Sequence, residues 1–459
     1  MNIKPVMRAG IRPARPFTKI IGAAATLILA AAPLPLSATP AWAAPASAEQ
    51  RPAAKPVMPG DSIADFYRAR AGRPLWLAPQ AGTAPQLLLA LLGSASVDSL
   101  DPGRYPVNRI ADALSAARSG NARAARDAEQ LISEAFVAYA RDLRRDPKIG
   151  VVYVDRELVP GPQSARYLLE RAAAAPSLEA FVSNMAWMSP TYRQLRRALV
   201  SKSYSDDLQR RTLALNLERA RALPAGHERY VVVNAAAQRL FMYQNGQVVD
   251  SMRVVVGKPR HATPMMNAYI RAAALNPYWN VPPDLAAERI APSVVKQGVG
   301  YLAANGYQVL SDWSDSATVI DPASVDWRAV ADGRVEVRVR QLPGPQNGLG
   351  QMKFIFPNAQ GIFLHDTPER QLLSEASRLY SGGCIRLEDA PRFGRWLFGR
   401  DLHKSGDAPE QIVPIPAVVP LFITYLTAAP NGGSIAFYDD VYGRDAERLA
   451  AAGDPLAAR

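Results

Sequence analysis

Apolar residues in the first half of the chain recur at spacings of three and four positions, which is the period of an amphipathic helix. Three runs show this spacing, over residues 87–92, 110–117 and 131–143. Turn signals such as Asp101-Pro102-Gly103 separate them. The pattern predicts an α-helical module over residues 61–221.

From Tyr230 onward the period changes to that of β-strands. Two apolar runs, over residues 230–243 and 248–256, flank the pair Asn245-Gly246. An Asn-Gly pair in this position is the strongest short-range signal of a β-hairpin. Later strands are expected over residues 335–339, 352–356, 361–364, 421–425 and 434–438.

These strands predict a β-rich domain over residues 227–443, which together with the helical module gives an α+β fold. Within that domain, residues 277–343 mix aromatic residues with helical signals and are too long for a simple connection. Long excursions in compact domains tend to be lids or binding loops. We therefore predict a lid over this stretch.

The first 44 residues have the pattern of an export signal. Basic residues without an acidic one precede an apolar run over residues 20–32, and Ala41-Trp42-Ala43 supplies a small-residue cleavage site. The run is shorter than the roughly 20 residues that cross a bilayer. We predict a signal peptide over residues 1–44, or a membrane anchor if it is not cleaved, and hence a location in the periplasm or cell envelope.

Two further segments carry no predicted fold. Residues 45–60 are rich in Ala and Pro and are expected to be a linker. Residues 444–459 are expected to form a C-terminal tail. The oligomeric state does not follow from the sequence.

Charge on its own suggests an anionic partner. The chain of 459 residues carries a net charge of +12, of which five charges lie in the predicted signal peptide, leaving +7 on the mature chain. The remaining basic residues are scattered singly, without a zinc-finger or RNA-binding pattern. Nucleic acid is therefore not the expected partner, whereas a polyanionic extracellular polymer is compatible with this charge.

Cysteine and histidine usage restricts the chemistry. A single cysteine excludes an internal disulfide framework and a multi-cysteine metal site. The four histidines, His227, His261, His365 and His403, share no spacing typical of metal ligands. We expect no metal and no cofactor.

Cys384 and His365 are the candidate catalytic pair. Gly382 and Gly383 precede the cysteine and let the backbone N–H groups of this loop approach a ligand. His365 ends an apolar run, and Thr367-Pro368 after it predict a helix start. A nearby imidazole can lower the pKa of a thiol and generate a thiolate nucleophile. The N–H groups around Gly382, Gly383 and Cys384 would then hold an oxyanion.

A structural interpretation of these residues stays open at this point. A lone cysteine is most often a small buried apolar residue. His365 would then be an oriented side chain at a strand end, and Arg386 a solvated cation. Tyr278 and Trp279 would be ordinary packing residues.

A family resemblance favours the catalytic interpretation. His365-Asp366-Thr367, followed 19 positions later by Cys384 within Ser-Gly-Gly-Cys-Ile-Arg, resembles the active-site motif of YkuD-type L,D-transpeptidases, and most of all their large YcbB-like branch. Supporting matches within residues 216–450 are 276–283, 326–327, 341–350, 353–358 and 439–445. Weaker matches to the branch's helical scaffold lie at 66–76 and 135–143.

The resemblance implies a reaction and roles for residues. The substrate would be peptidoglycan stem peptides, joined by 3→3 crosslinks through a thioester on Cys384, with His365 as base and then acid. Residues 277–343 would be a capping subdomain. The substrate-binding residues implied are Ser381, Arg386, Tyr278, Trp279 and Asn280.

Three departures from the family pattern leave alternatives open. Gly382 stands where the family usually has a second histidine, and Phe363 stands where the branch often has tyrosine. No room for a peptidoglycan-binding module is found between Leu199 and Asn216. An L,D-carboxypeptidase or exchange enzyme, or a catalytically silent wall-binding scaffold, are the competing hypotheses.

Overall fold

A computed structural model describes residues 60–451 of the chain. The predicted signal peptide, all but the last residue of the predicted linker, and residues 452–459 of the predicted tail lie outside the described residues. Among the residues described, no helix is long and apolar enough to span a bilayer.

The first half is helical, as the spacing of apolar residues predicts. Its helices are α1 (Ile63–Ala69), α2 (Ala84–Gly93), α3 (Val107–Ala117), α4 (Ala122–Leu143), α5 (Ala165–Ala173), α6 (Leu178–Ser183), α7 (Pro190–Val200) and α8 (Asp207–Ala220). A two-residue strand, β1 (Val152–Tyr153), lies between α4 and α5.

Local sequence signals fix where these helices begin. Ser164, Ser177, Ser189 and Asp206 each accept a hydrogen bond from a backbone N–H of the first turn of the helix that follows. Such caps satisfy donors that a helix end leaves without partners. The apolar stripe of α4 is fully buried and packs with aromatic residues from α6 and the loops into one core.

The second half is built around one large sheet. Its first strands are β2 (Arg229–Asn234), β3 (Arg239–Gln244), β4 (Gln247–Gly257) and β5 (Met266–Leu275). The predicted hairpin joins β3 to β4, and both Asn245 and Gly246 have the positive φ angles that this tight turn requires.

An insertion between β5 and the rest of the sheet forms a unit with its own core. Its strands are β6 (Trp279–Val281), β7 (Tyr307–Leu310), β8 (Val319–Ile320) and β9 (Arg338–Gln341), ordered β6-β9-β7-β8. Its helices are α9 (Pro283–Leu285), α10 (Ala291–Gln297), α11 (Gly300–Ala304) and α12 (Trp327–Ala331). A π-helical turn, Ala286–Ile290, connects α9 to α10.

The remaining strands complete the large sheet. They are β10 (Met352–Ile355), β11 (Leu364–His365), β12 (Leu379–Ser381), β13 (Ile385–Leu387) and β14 (Gln411–Thr424), with α13 (Ala390–Phe398) before β14. A separate hairpin, β15 (Ala428–Asn431) and β16 (Ser434–Phe437), and helix α14 (Arg444–Ala451) follow.

The strands of the large sheet close on themselves. The order runs β5-β10-β11-β13-β4-β3-β2-β14, and β14 pairs again with β5. The closed ladder surrounds an apolar core, to which β11 contributes Leu364 and β13 contributes Ile385. This closure places the short strands β11 and β13 side by side.

Three expected element boundaries are wrong. The strand expected over residues 361–364 is confined to β11, because Asn358 holds a turn by accepting from Ile362 N and donating to Ile362 O. The strand expected from residue 335 begins at Arg338. The helix expected at Thr367-Pro368 is only a 3₁₀ segment, Arg370–Ser374.

Candidate active site

The register between β11 and β13 brings the two candidate catalytic residues together. These strands run parallel, with Leu364 paired to Ile385 and His365 paired to Arg386. Leu364 and Ile385 point into the core, so alternation directs His365 and Arg386 to the opposite face. Cys384 lies two positions before Arg386, and this spacing makes it a diagonal neighbour of His365 across strands about 4.8 Å apart.

The His365 ring is buried and carries its proton on Nδ1. That nitrogen donates to the Asp366 carbonyl oxygen at 2.5 Å, and a carbonyl can only accept. Nε2 is therefore left with a free lone pair. Burial, and next the charge of Arg386, lower the pKa of His365 to about 3, against the opposing effect of the Asp366 bond. The ring is a neutral base at neutral pH.

The Cys384 thiol is the protonated partner. Its sulfur donates to the Gly361 carbonyl oxygen at 3.6 Å and not to the His365 ring. Burial raises the thiol pKa, while the Phe363 N–H and the Arg386 charge oppose that rise. The expectation that the imidazole lowers the pKa of the resting thiol is therefore not met.

Ser381 shapes the loop that carries the sulfur. Its hydroxyl donates to the Cys384 carbonyl at 2.6 Å and accepts from the Gly383 N–H at 3.1 Å. The side chain is buried, and both bonds are internal to the loop. Ser381 thus holds the loop, and its expected role in substrate binding stays a prediction.

Of the three backbone N–H groups expected to hold an oxyanion, one already has an acceptor within the loop. The Gly383 N–H is occupied by Ser381, and its φ of +113° lies in the range that favours glycine. Within residues 60–451, the N–H groups of Gly382 and Cys384 have no acceptor. These two groups, and not Gly383, are the donors that the loop offers to a developing oxyanion.

Comparison with known families identifies the domain that holds this site. Residues 228–400 match the family model for the YkuD L,D-transpeptidase catalytic domain, and residues 61–199 match the model for the Scaffold domain. Residues 228–400 are therefore similar to an L,D-transpeptidase catalytic domain. Both His365 and Cys384 lie inside the matched range.

Individual known proteins are similar to part of this chain. A curated Haemophilus influenzae protein named "Putative L,D-transpeptidase" is 31% identical over 275 residues, which are 58% of this chain and 55% of that protein. Solved L,D-transpeptidases from Mycobacterium smegmatis and Mycobacterium tuberculosis each share 13% identity over 44% of this chain. They are covered to 60% and 63%, with TM-scores of 0.23 and 0.19. The chain thus spans about half the length of the curated relative.

Arg386 of the catalytic domain already binds a carboxylate of the protein. Its guanidinium forms an ion pair with Glu369, and only 11% of its side chain is exposed. We expected this arginine to hold a carboxylate of the substrate. The structure instead gives it an internal partner, and its charge acts on the pKa values of both His365 and Cys384.

The aromatic segment of the insertion makes its recorded contacts within the insertion and with Glu410. The Tyr278 ring stacks under Arg340 at 4.6 Å, and its N–H donates to Glu410 at 2.8 Å. Trp279 packs against the backbone at Gly348, and Asn280 is exposed. Among the described residues, none of the three forms a hydrogen bond or ring contact with Cys384 or His365. The expected contact with substrate has no support from these positions.

The loop over residues 380–384 is called the nucleophile loop, after the expected role of Cys384. The insertion reaches this loop through residues that the sequence did not single out. A Cβ atom built on Gly382 would lie 2.9 Å from Leu285 Cδ1. Arg289 donates to the Tyr380 carbonyl oxygen at 3.2 Å. No periodicity links residues about a hundred positions apart, and the only available signal was glycine at position 382. Within the described part of the chain, no group of three or more His, Cys, Asp or Glu side chains is arranged to bind a metal ion.

Proposed function

We propose that this protein is an exported peptidoglycan L,D-transpeptidase that forms 3→3 crosslinks through a thioester on Cys384. The observation that supports it best is the pairing of β11 with β13, which sets a neutral imidazole diagonally across from the only thiol of the chain. A helical scaffold over residues 61–221 and a catalytic domain over residues 227–443, capped by residues 277–343, complete the proposal.

The first half-reaction forms the thioester. The Cys384 thiol turns from Gly361, and its proton passes to Nε2 of His365. The thiolate attacks the carbonyl carbon of the third stem residue, a diamino acid, and the carbonyl oxygen becomes an oxyanion held by the Gly382 and Cys384 N–H groups. The C–N bond to the terminal D-Ala breaks, and the His365 imidazolium protonates the departing amine.

The second half-reaction transfers the acyl group. A neutral side-chain amine of a neighbouring stem peptide attacks the thioester carbon and loses a proton to His365 Nε2. The C–S bond breaks, and the leaving thiolate recovers that proton. The product is a new amide between two third-position residues, and the pair returns to its neutral state.

Incubation of the mature protein with tetrapeptide muropeptides, followed by mass spectrometry, tests the proposal. We expect crosslinked dimers lacking one D-Ala. Tripeptide monomers alone would assign the protein as an L,D-carboxypeptidase, because water would then be the acceptor. Exchange of the terminal residue for an added D-amino acid would assign it as an exchange enzyme. No product from folded protein would favour a wall-binding scaffold without activity.

A further inference from the structure

Leu285, at the end of α9, covers the backbone of Gly382. An added Cβ at Gly382 would come within 2.9 Å of Leu285 Cδ1, closer than real Cβ atoms approach other groups, and within 3.2 Å of its Cδ2, which is tighter than most Cβ contacts. Gly382 does not have a positive φ angle. The backbone itself would therefore accept alanine, and the space taken by Leu285 is what requires glycine here.

Leu285 is not free to move away. Only 7% of it is exposed, and it belongs to the apolar core of the insertion together with Ala286 and Ile290. Close-packed side chains of this kind yield little to an added atom. A change at Gly382 must therefore displace either the nucleophile loop or the insertion.

A cluster of charges holds this part of the insertion against the loop. Glu288 accepts from His261 Nε2 at 3.2 Å and lies 3.5 Å from Lys258 Nζ. It also pairs with Arg260, and Asp284 lies 3.7 Å from His261 Nδ1. Lys258, Arg260 and His261 belong to the turn that follows β4, and this turn also binds the nucleophile loop.

Two hydrogen bonds connect the turn over residues 258–263 to the loop that carries the sulfur. The Lys258 N–H donates to the Ser381 carbonyl at 3.0 Å. Thr263, at the end of the turn, donates from its hydroxyl to the Gly383 carbonyl at 2.8 Å. The loop that ends in Cys384 is thus held by the turn on one side and by Leu285 on the other.

We propose that Leu285 is a positioning residue that sets the place of the Gly382 N–H beside the Cys384 sulfur. The inference rests on the proposed function, because it assigns a purpose to that N–H as an oxyanion donor. Leu285 and Gly382 then form a matched pair, large in the insertion and small in the loop.

A double-mutant cycle tests the pairing. Gly382→Ala should lower crosslink formation about tenfold, because the added methyl overlaps Leu285 and shifts the loop. Leu285→Ala should lower it about threefold, because the loop loses one wall. The double variant should recover to about the level of Leu285→Ala, since the space for the new methyl has been opened.

The sole cysteine supplies a readout that needs no substrate. Alkylation by iodoacetamide, followed by intact mass, reports only on Cys384. Gly382→Ala should change this rate by at least about threefold, and the double variant should return it to the Leu285→Ala rate. Leu302→Ala is the matched control, because Leu302 is buried in the same core of the insertion, whereas the atoms nearest to an added Cβ on Gly382 all belong to Leu285. It should leave both rates within about twofold.

The outcomes separate the two proposals. Additive effects in both readouts, or equal effects of Leu302→Ala and Leu285→Ala, would overturn the role of Leu285. A wild-type protein without product would count against the proposed function alone. The alkylation cycle would still decide whether Leu285 and Gly382 are coupled. Thermal melting of each variant establishes that it is folded.

Discussion

Two residues, one in each half of the molecule, are buried to nearly the same extent and are treated in opposite ways. Asp98 in the helical half is 2% exposed, and His365 in the catalytic domain is 4% exposed. Asp98 accepts from the hydroxyls of Tyr139 and Tyr192, at 2.6 Å each, and from Arg196 at 2.8 Å. Its hydrogen-bonding capacity is occupied on every side.

His365 has spare capacity. One ring nitrogen donates to Asp366, and among the described residues the other meets no partner. A buried carboxylate is tolerated only when it is paired, whereas an imidazole avoids that cost by remaining neutral. Burial alone therefore does not identify a functional group. The useful sign is a buried titratable group with one position left free.

The two tyrosines around Asp98 are held in one protonation state. Burial, and next the charge of Asp98, raise the pKa of Tyr139 and Tyr192 well above the usual range of tyrosine. Both hydroxyls thus remain donors at any physiological pH. Neither tyrosine loses its proton under ordinary conditions, which suits a structural site.

The largest expected effect comes from removing the thiol. Cys384→Ala should lower crosslink formation at least about a thousandfold, because no other nucleophile is available to form the acyl-enzyme. The stability of the Cys384→Ala variant should change little, because the thiol donates only one long hydrogen bond, to Gly361. Mass spectrometry of the products and thermal melting measure both. Undiminished product from purified variant would refute the nucleophile assignment.

The next largest effect is expected on stability, from removal of the buried carboxylate in the helical half. Asp98→Ala should reduce the free energy of unfolding by about 3–5 kcal/mol, because it leaves Arg196 buried without its counter-ion and two tyrosine hydroxyls without an acceptor. Urea denaturation measures the change. Asp407, whose side chain is 96% exposed in its pair with Lys404, supplies the control variant Asp407→Ala, for which no change is expected. A small loss from Asp98→Ala would show that the cluster contributes little.

A third effect depends on pH. The pKa of His365 is lowered to about 3 in the folded chain, whereas an unfolded histidine titrates near 6.5. Between these values the unfolded state binds the extra proton, so stability is lost as the pH falls below about 6.5. The loss is at most about 1.4 kcal/mol for each pH unit.

His365→Gln checks this pH dependence, because glutamine does not titrate. Comparison of unfolding free energies at pH 6.5 and pH 5.0 should give a loss about 1.6 kcal/mol smaller in the variant than in the wild type. Equal losses in the two proteins would mean that His365 becomes protonated without unfolding. The buried neutral ring would then be the wrong description of the site.

Elements governed by local rules were predictable from the sequence. The stripe along α4 and the turn at Asn245-Gly246 depend on neighbours a few positions away, and both are confirmed. The strand expected at 361–364 failed although its residues are apolar. A side-chain bond from Asn358 to Ile362 outweighed their strand propensity, and such a bond leaves no periodic signal.

The site was predictable in outline and not in its partners. The motif order pointed to His365 and Cys384, whose catalytic roles stay predictions. The carboxylate that pairs with Arg386 belongs to Glu369, and the side chain that covers Gly382 belongs to Leu285. Both partners come close only after the chain has folded. Sequence spacing carries no information about such contacts.

The smallest effect compares the same substitution in both regions. Ser94 accepts from Arg196 at 2.9 Å beside the Asp98 cluster, and Ser381 holds the nucleophile loop. Ser94→Ala and Ser381→Ala should each lower the free energy of unfolding by about 1 kcal/mol, the usual worth of such hydrogen bonds. Urea denaturation measures both.

Activity should separate this serine pair where stability does not. Ser381→Ala should lower crosslink formation about tenfold, because the freed Gly383 N–H and Cys384 carbonyl let the loop drift from the geometry that attack requires. Ser94→Ala should leave it unchanged, because its partner Arg196 lies in the helical half and serves only the fold. Equal activity losses in the two variants would mean that stability alone controls turnover. The difference between a buried group with all its hydrogen-bond positions occupied and one with a free position would then not distinguish a structural site from a functional one.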